Sequence, residues 1–174
     1  MIKHIVAMND SRAIGVNNKL PWHLPEDLQL FREETLGRTI YMGTNTFKSI
    51  LAYSKDSSIL PGRHIRVISS SPAKVQTLID EYGIYPNVDY WTKAMLDILI
   101  KSHPSLEVLI VGGAQLYAAY PPDEVLATRV HINIEGADTF YPHDIFNLYY
   151  TNAAERRVSK VGLEYTVGYY SKTE

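Results

Sequence analysis

Residues 20–31 place one of their two acids, Asp27, among apolar side chains. Their order is Leu-Pro-Trp-His-Leu-Pro-Glu-Asp-Leu-Gln-Leu-Phe, in which Pro25 suits the first turn of a helix. On that helix Asp27 and Phe31 share one face, and Leu28 lies beside them. A carboxylate in such company could bind a planar cation or an amidine through two parallel hydrogen bonds, and burial would shift its pKa. The alternative is an acid that only stabilises the helix N-terminus.

Small and hydroxyl residues occur at three points where a predicted strand is followed by a predicted helix. Backbone N–H groups at each helix start are unpaired and lie at the positive end of the helix dipole, so each junction could bind an anion. If the three strands are neighbours, the junctions open on one edge of the sheet, where α/β proteins bind ligands. Ordinary helix capping is the alternative for any one junction. The junctions are Met42-Gly43-Thr44-Asn45-Thr46, Ile68-Ser69-Ser70-Ser71-Pro72 and Val111-Gly112-Gly113-Ala114.

The junctions predict a nucleotide site of neither common kind. The sequence contains no Gly-x-Gly-x-x-Gly fingerprint and no Gly-Lys-Ser/Thr phosphate loop. Other chemistries have less support, because no second acid stands at a useful spacing on the Asp27 helix, no Gly-x-Ser-x-Gly elbow occurs and Cys is absent. The six histidines show no metal-ligand spacing, so we expect no metal site and interpret them as surface or packing residues.

Composition predicts one globular domain over residues 1–174, because 45% of the residues are hydrophobic, 21% are charged, and no repeat or linker divides the chain. A formal charge of −2 provides no basic stripe for nucleic acid. The most apolar stretch, residues 108–122, is too short and too interrupted to span a membrane. Residues 1–8 lack the pattern of a signal peptide, so we expect a cytoplasmic protein.

Apolar runs alternate with helical patterns, which predicts an α/β fold: a single domain with a central, mostly parallel mixed sheet, helices on both faces and an antiparallel C-terminal edge. The predicted strands are 2–8, 39–42, 65–69, 107–111, 128–135, 156–161 and 165–170. The strand at 128–135 alternates in polarity, so we expect it to be half-buried. The predicted helices are 25–35, 45–52, 72–82, 93–102 and 114–120.

Six short motifs stand in order along the chain: Ala13-Ile14-Gly15, Leu20-Pro21-Trp22, Leu24-Pro25-x-Asp27-Leu28-x-x-Phe31, Met42-Gly43-x-x-Thr46-Phe47, Leu60-Pro61-Gly62-Arg63 and Val111-Gly112-Gly113-Ala114-x-x-Tyr117. Together they resemble the dihydrofolate reductase family, from residue 1 to about residue 142 and more weakly to the C-terminus. The resemblance implies a dihydrofolate reductase-like fold. It also implies hydride transfer from NADPH to 7,8-dihydrofolate, giving tetrahydrofolate for one-carbon metabolism.

On the substrate side, the resemblance implies that Asp27 grips the pterin N3 and 2-amino group, supported by Trp22 through a water and by Thr128 through its hydroxyl. Leu20 joins these three as a catalytic residue. Arg63 would pair with the glutamate α-carboxylate, which a guanidinium fork matches in two bonds; the alternative is a surface arginine in a Pro-Gly turn. The other pocket residues implied are Ile5, Ala7, Leu28, Phe31, Ile50, Leu60, Val111 and Tyr117. Antifolate inhibitors are expected to bind here, and the chain is expected to be a monomer.

On the cofactor side, residues 9–24 resemble the family's mobile loop, which closes over the site and excludes water. The family's chemistry transfers a hydride to pterin C6 and protonates N5. Asp27 is not adjacent to N5 in that geometry, so its contribution would be electrostatic and through water. The cofactor residues implied are Ala7, Ile14, Gly15, Gly43, Thr44, Asn45, Thr46, Ser69, Ser70, Ser71, Lys93, Val111, Gly112, Gly113, Ala114, Gln115, Leu116 and Tyr117.

Two features depart from the family pattern. Members commonly carry a basic residue at the second position after Met-Gly, where it meets the cofactor 2′-phosphate, and here that position is Thr44. Discrimination between NADPH and NADH would then rest on other residues, such as Ser69, Ser70, Lys48 or His64. The connection at 52–59 is longer than in compact members and polar enough to be a surface loop.

Two other functions stay open at this point. One is a reductase of similar fold that acts on a ribosylamino-pyrimidine in riboflavin synthesis. Asp27 and Arg63 argue against it, because both suit a pterin with a glutamate tail. The other is a folate- or nucleotide-binding protein with little turnover, which only a measurement of activity would distinguish from the reductase.

Overall fold

The computed structural model describes residues 1–17, 19–54 and 59–173. Strands and helices alternate along most of this part of the chain. In order they are β1 (Ile2–Asn9), β2 (Ala13–Gly15), α1 (Pro25–Thr35), β3 (Thr39–Gly43), α2 (Thr44–Tyr53), β4 (His64–Ser69), α3 (Pro72–Tyr82), β5 (Val88–Thr92), α4 (Lys93–Ser102), β6 (Val108–Gly112), α5 (Ala114–Ala119), β7 (Glu124–Val130), β8 (Thr139–Phe140), α6 (Ile145–Leu148), β9 (Tyr150–Val158) and β10 (Glu164–Ser171).

One large sheet organises the molecule, with the strand order β5-β4-β3-β6-β1-β7-β10-β9. Neighbours from β5 to β7 pair in parallel. Strand β10 is antiparallel to both β7 and β9, and β2 pairs with β8 in a separate short ribbon. The α/β class, the mostly parallel sheet and the antiparallel C-terminal edge predicted from the sequence are confirmed.

The sheet is covered by helices on both faces, which explains why its central strands are almost entirely apolar. Side chains of β3 alternate between the two layers, with Ile40 and Met42 in one core and Tyr41 in the other. Helices α1, α2 and α3 pack on the first face, and α4, α5 and α6 pack on the second. On the first face, α2 contributes Phe47 and α3 contributes Leu78 to the core. The second set contributes Leu96, Leu116 and Ile145.

The three strands that end in the small and hydroxyl junctions are direct neighbours, in the order β4-β3-β6. They run parallel, so their carboxyl ends lie along one edge of the sheet. The condition under which the junctions could act together is therefore met.

The prediction of a half-buried strand at 128–135 is wrong. The strand is Glu124–Val130, and four consecutive residues within it, 125–128, are buried. Leu126 and Val130 belong to the core on one face of the sheet, and Val125 and Ala127 belong to the core on the other. Both faces of β7 are therefore covered, and a strand covered on both faces shows no polar alternation. The alternating run that suggested a strand continues past Val130, where the chain leaves the sheet.

Other boundaries also differ from the prediction. The strand predicted at 156–161 is Tyr150–Val158, exposed along its whole length at the sheet edge, where no core face marks its polarity pattern. Three features were not predicted from the sequence: strand β5, the β2–β8 ribbon and the single-turn helix α6. Of the predicted 52–59 loop, 52–53 belong to α2, and residues 55–58 lie outside the described part of the chain.

Candidate active site

The acid singled out from the sequence lies at the start of α1, as the pattern predicted. Pro25 occupies the first turn, and Leu24 directly before it is buried in the core. Asp27 is half-buried, and its carboxylate accepts a hydrogen bond from the hydroxyl of Thr128, a buried residue of β7. Burial raises the pKa of the Asp27 carboxyl, and the Thr128 hydrogen bond opposes that rise. The result is a desolvated carboxylate beside the Thr128 hydroxyl.

Tyr117 lies close to this carboxylate. Burial, followed by the charge of Asp27, raises the pKa of the Tyr117 hydroxyl well above its usual range. That hydroxyl donates to the backbone oxygen of Ile5 at 2.6 Å. Asp27, Tyr117 and Ile5 come from α1, α5 and β1, so the fold assembles three elements around one point.

Most apolar side chains predicted to line the pocket belong to, or pack against, the core cluster on the first face of the sheet, whereas Tyr117 belongs to the cluster on the second face. Half-buried members of that cluster leave part of their surface open to solvent, as the wall of a binding groove requires. Leu28, beside Asp27 on α1, is 56% exposed. The wall residues in or against the cluster are Ile5, Trp22, Phe31, Ile50, Leu60 and Val111. Ala7, on β1 two residues after Ile5, is half-buried.

Arg63 is buried, at 7% exposed, so the alternative of a surface arginine in a turn is wrong. Its Nε donates to the Leu60 oxygen at 3.2 Å, and its Nη1 lies 3.5 Å from Thr35 Oγ1. Within the described residues no carboxylate forms an ion pair with it. Burial, and then the nearby charge of Arg32, lowers the pKa of Arg63. A buried cation held by neutral groups is suited to an anion from outside the chain.

The junctions after β3 and β6 touch each other. A Cβ added to Gly112 would lie 2.6 Å from Thr46 Oγ1, and the φ of Gly112 is +155°, so only glycine fits there. A Cβ on Gly43 would lie 3.6 Å from the Gly113 nitrogen. Backbone and small side chains thus form a shallow cradle between the two helix starts.

The junction after β4 divides into two parts. Ser71 caps α3, since its hydroxyl accepts from the Lys74 nitrogen at 3.4 Å, so ordinary capping explains this residue. Ser69 behaves differently, because its Oγ is buried and has no hydrogen-bond partner within the described residues. Buried hydroxyls normally have a partner, so Ser69 points to a ligand group. Ser70, between them, is exposed.

A fourth strand-to-helix junction, between β5 and α4, was not predicted from the sequence. Thr92 ends β5, and its hydroxyl accepts from the Met95 nitrogen at 3.2 Å. Lys93 follows on the same edge of the sheet, exposed, with its Nζ 5.8 Å from the ring centre of Tyr120. The run Val-Asp-Tyr-Trp-Thr, rich in β-branched and aromatic residues, carried the signal for this strand.

The segment predicted to be a mobile loop is anchored at its first end. The Asn9 side chain accepts from the nitrogens of Ser11 at 3.0 Å and Ala13 at 2.8 Å, and it donates to the Ile132 oxygen at 3.2 Å. Next comes β2, which contains Ile14 and Gly15 and pairs with β8. Farther along, Leu20 is 53% exposed, so its side chain has little contact with the core.

The remaining cofactor candidates follow the same edge. Thr44 and Thr46 are half-buried in the first turn of α2, and Asn45 between them is exposed. At the start of α5, Ala114 is half-buried, Gln115 is exposed and Leu116 is buried. Within the described residues, no cluster of His, Asp and Glu has the form of a metal site, and no helix is long and apolar enough to cross a membrane.

The Asp27 carboxylate and the neighbouring helix starts lie towards the carboxyl edge of a parallel sheet, where α/β proteins of the nucleotide-binding class bind their ligands. A family model described as Dihydrofolate reductase matches residues 1–172. The chain belongs to the dihydrofolate reductase family.

Individual relatives agree with this assignment. The Bacillus subtilis dihydrofolate reductase is 39% identical over 144 residues, which is 82% of this chain and 76% of that protein. The Neisseria gonorrhoeae dihydrofolate reductase is 33% identical over 171 residues, covering 95% of this chain and 94% of that one. A solved dihydrofolate reductase from Enterococcus faecalis, complexed with NADP(H) and RAB-propyl, covers 100% of this chain and 97% of its own, with a TM-score of 0.76 and 24% identity. That structure supports the fold.

Proposed function

We propose that this chain transfers a hydride from NADPH to 7,8-dihydrofolate, giving 5,6,7,8-tetrahydrofolate. The observation that carries the proposal is the desolvated Asp27 carboxylate, which lies beside Thr128 among apolar side chains and near the neighbouring helix starts. Membership of the dihydrofolate reductase family supports the same reaction. The residue roles below belong to this proposal, as does a monomeric active form, since one chain carries every residue of the proposed site.

On the substrate side, the proposal assigns the pterin to Asp27. The pterin N3 and 2-amino group form a planar donor pair, and a carboxylate accepts both in parallel bonds. Apolar walls around that pair exclude water and strengthen each bond. At the other end of the groove, the buried Arg63 guanidinium receives the glutamate α-carboxylate.

On the cofactor side, the chain offers features that fit a dinucleotide. The buried Ser69 hydroxyl has no partner within the described residues, and the Gly112 position has no room for a side chain. Helix starts after β3 and β6 present backbone N–H groups to an anion, as a pyrophosphate requires. NADPH supplies the hydride when it is bound there. Ile14 and Gly15 lie on the anchored part of the loop, where they would contact the nicotinamide end.

The chain's own contribution to the reaction is to orient the reactants, exclude water and hold charge. Asp27 holds a negative charge near the pterin ring and favours its protonated form as the hydride arrives. The proton reaches N5 through water, because Asp27 grips the opposite side of the ring system. Closure of the loop at residues 9–24 limits that water and keeps the reactants in contact.

The direct test is oxidation of NADPH by the purified protein with dihydrofolate as the acceptor, run in parallel with NADH. Turnover that requires both substrates supports the proposal. A folded protein that binds dihydrofolate without turnover would instead be a binding protein, and reduction of a ribosylamino-pyrimidine alone would assign the chain to the riboflavin-type reaction. Either result would overturn the proposal.

Replacing Thr44 with Arg is expected to tighten NADPH binding about 10-fold relative to NADH, because a charge-assisted bond to the 2′-phosphate would be added. The measurement is the Kd of each cofactor. Ser49→Arg, farther along α2, is the matched control for added charge and should change both affinities equally. Equal tightening by Thr44→Arg would place the 2′-phosphate elsewhere.

Replacing Arg63 with Gln is expected to raise the KM for dihydrofolate about 10-fold or more, because a bond between charged groups is lost. A reduced pterin that lacks the glutamate tail should keep its KM. Arg38→Gln is the control, since Arg38 forms a surface ion pair with Glu107 at 3.1 Å. An equal rise for both substrates would assign Arg63 a structural role only.

A further inference from the structure

His4 is a buried titratable residue to which the proposed reaction assigns no role. It lies on β1 with none of its surface exposed, next in sequence to Ile5 and on the opposite face of the sheet. Both ring nitrogens have partners. Nε2 lies 2.8 Å from the backbone oxygen of Tyr120, and Nδ1 lies 2.7 Å from the hydroxyl oxygen of Tyr141.

These contacts fix the tautomer of the ring. A backbone carbonyl only accepts, so Nε2 carries the hydrogen and donates to Tyr120. Burial lowers the pKa of His4 to about 3, so the ring is neutral near pH 7 and Nδ1 accepts from the Tyr141 hydroxyl. His4 is thus a permanent connector with one donor and one acceptor, and a purely apolar residue would leave two buried polar groups without partners.

The connector joins the centre of the sheet to the base of the loop. Tyr141 also bonds through its backbone, since its nitrogen donates to the Arg12 oxygen at 2.8 Å. Arg12 directly precedes β2, the anchored part of the loop that carries Ile14 and Gly15. Two hydrogen bonds, one from the hydroxyl and one from the backbone nitrogen of Tyr141, therefore link His4 to the segment proposed to close over the cofactor.

The His4 ring also packs against the ring of Tyr117. The His4 and Tyr117 ring centres are 4.8 Å apart, and those of Tyr117 and Tyr141 are 5.1 Å apart. His143 Nε2 lies 2.8 Å from the backbone oxygen of Tyr117, so the backbone of Tyr117 also contacts the segment after β8. His4 holds the end of α5 as well, through the Tyr120 carbonyl. Tyr117 is therefore fixed from three sides.

We propose that His4 is a positioning residue, which sets the place of Tyr117 and of the loop base relative to the reacting groups. The proposal rests on the proposed function for its effect on hydride transfer, whereas its structural part stands independently. It predicts that His4→Leu slows hydride transfer in a single turnover about 10-fold and weakens NADPH binding, because small displacements at a reacting centre have large effects on rate.

The test compares His4→Leu with His4→Gln and Val108→Ala. Gln retains a donor and an acceptor, so it should recover most of the rate and affinity. Val108 is buried on the same face of the sheet at the opposite, amino-terminal end of β6, so Val108→Ala should lower the Tm but leave the hydride-transfer rate and the Kd for NADPH unchanged. All measurements are made well below the lowest Tm. If His4→Leu does not fold, Tyr141→Phe removes the hydroxyl alone and should act in the same direction.

Hydrogen exchange separates this proposal from the proposed function. In the His4→Leu protein, amides of residues 12–15 and 141 should exchange faster than in Val108→Ala at matched stability, whether or not the enzyme turns over. Faster exchange in a protein without reductase activity would support His4 and overturn the function. Exchange, NADPH affinity and hydride-transfer rate all matching Val108→Ala would overturn the role proposed for His4.

Discussion

Replacing Asp27 with Asn is expected to lower the rate of hydride transfer about 100-fold or more while the protein stays folded. The substitution keeps the shape of the side chain and removes the charge that favours a protonated pterin. It also replaces one of the two acceptor oxygens with a donor, so the planar donor pair of the pterin loses a parallel bond. The measurement is the single-turnover rate with saturating NADPH and dihydrofolate.

Although Asp27→Asn should lower the rate of hydride transfer, it should not lower the free energy of unfolding. Burial raises the pKa of Asp27 above the value of about 3.9 expected in the unfolded chain, so the folded state binds this proton more tightly than the unfolded state does. Ionisation of Asp27 therefore lowers stability above the folded pKa, and that loss is regained as the pH falls through it. The amide introduced by Asp27→Asn carries no such charge, so the variant should be as stable as the parent or more stable at pH 7.

Glu26, the neighbouring acid, is the matched control, because its pKa is lowered in the folded protein whereas that of Asp27 is raised. Its carboxylate accepts a hydrogen bond from the backbone nitrogen of Lys160 at 2.8 Å, and this hydrogen bond lowers the pKa of Glu26. Glu26→Gln should therefore lose stability above the unfolded pKa and keep its hydride-transfer rate. Denaturant unfolding between pH 4 and pH 8 compares the two variants. Near-parental turnover in Asp27→Asn with unchanged folding would contradict the role assigned to Asp27.

Replacing Gly112 with Ala is expected to cost about 1–3 kcal/mol of stability and to weaken NADPH binding about 10-fold or more. The new Cβ would meet Thr46 Oγ1 at 2.6 Å and Thr46 Cγ2 at 2.9 Å, at a φ of +155° that L-residues avoid. Thr46 lies in the first turn of α2, so relief of this clash moves one helix start away from the other. Cofactor affinity and denaturant unfolding are measured together.

Gly83 provides the control for backbone strain without a clash. Its φ is +85°, and a Cβ there would have no neighbour within 4 Å. Gly83→Ala should cost about 1–3 kcal/mol, because its φ and ψ lie in a region that glycine alone adopts readily. It should leave NADPH affinity unchanged, because Gly83 caps the C-terminus of α3, whereas the cradle lies at the starts of α2 and α5. If the two variants lose stability and both keep the parental Kd, the cradle between Gly112 and Thr46 does not hold the cofactor.

Much of the fold and part of the candidate site were predictable because their signals are local. Pro25 followed by two acids marks a helix start, and aliphatic runs such as residues 108–111 mark buried strands. The junctions could be seen individually from Gly, Ser and Thr at strand ends. That the junctions lie side by side depends on the order of the strands in the sheet, which local signals do not indicate. The structure shows that β4, β3 and β6 are neighbours.

The parts that were not predictable depend on distant contacts. Nothing near Arg63 in sequence indicates that it is buried, because the groups covering it include Thr35 on a separate helix. His4 and Tyr141 meet across 137 positions, so neither residue type nor spacing indicates the pair. The bounds of β7 were shifted because burial on both faces removes the alternation on which strand prediction relies.

The position of β1 has a consequence for how the protein is made. Ile2 pairs with Val108 and Lys3 with Glu124, so β1 finds both of its neighbours only after the ribosome has synthesised β6 and β7, which lie far along the chain. Contacts this distant are slow to form, and the apolar strand is exposed while it waits. A nascent chain that stops before β6 therefore has no centre for its sheet, and its unpaired first strand is a target for chaperones or for aggregation.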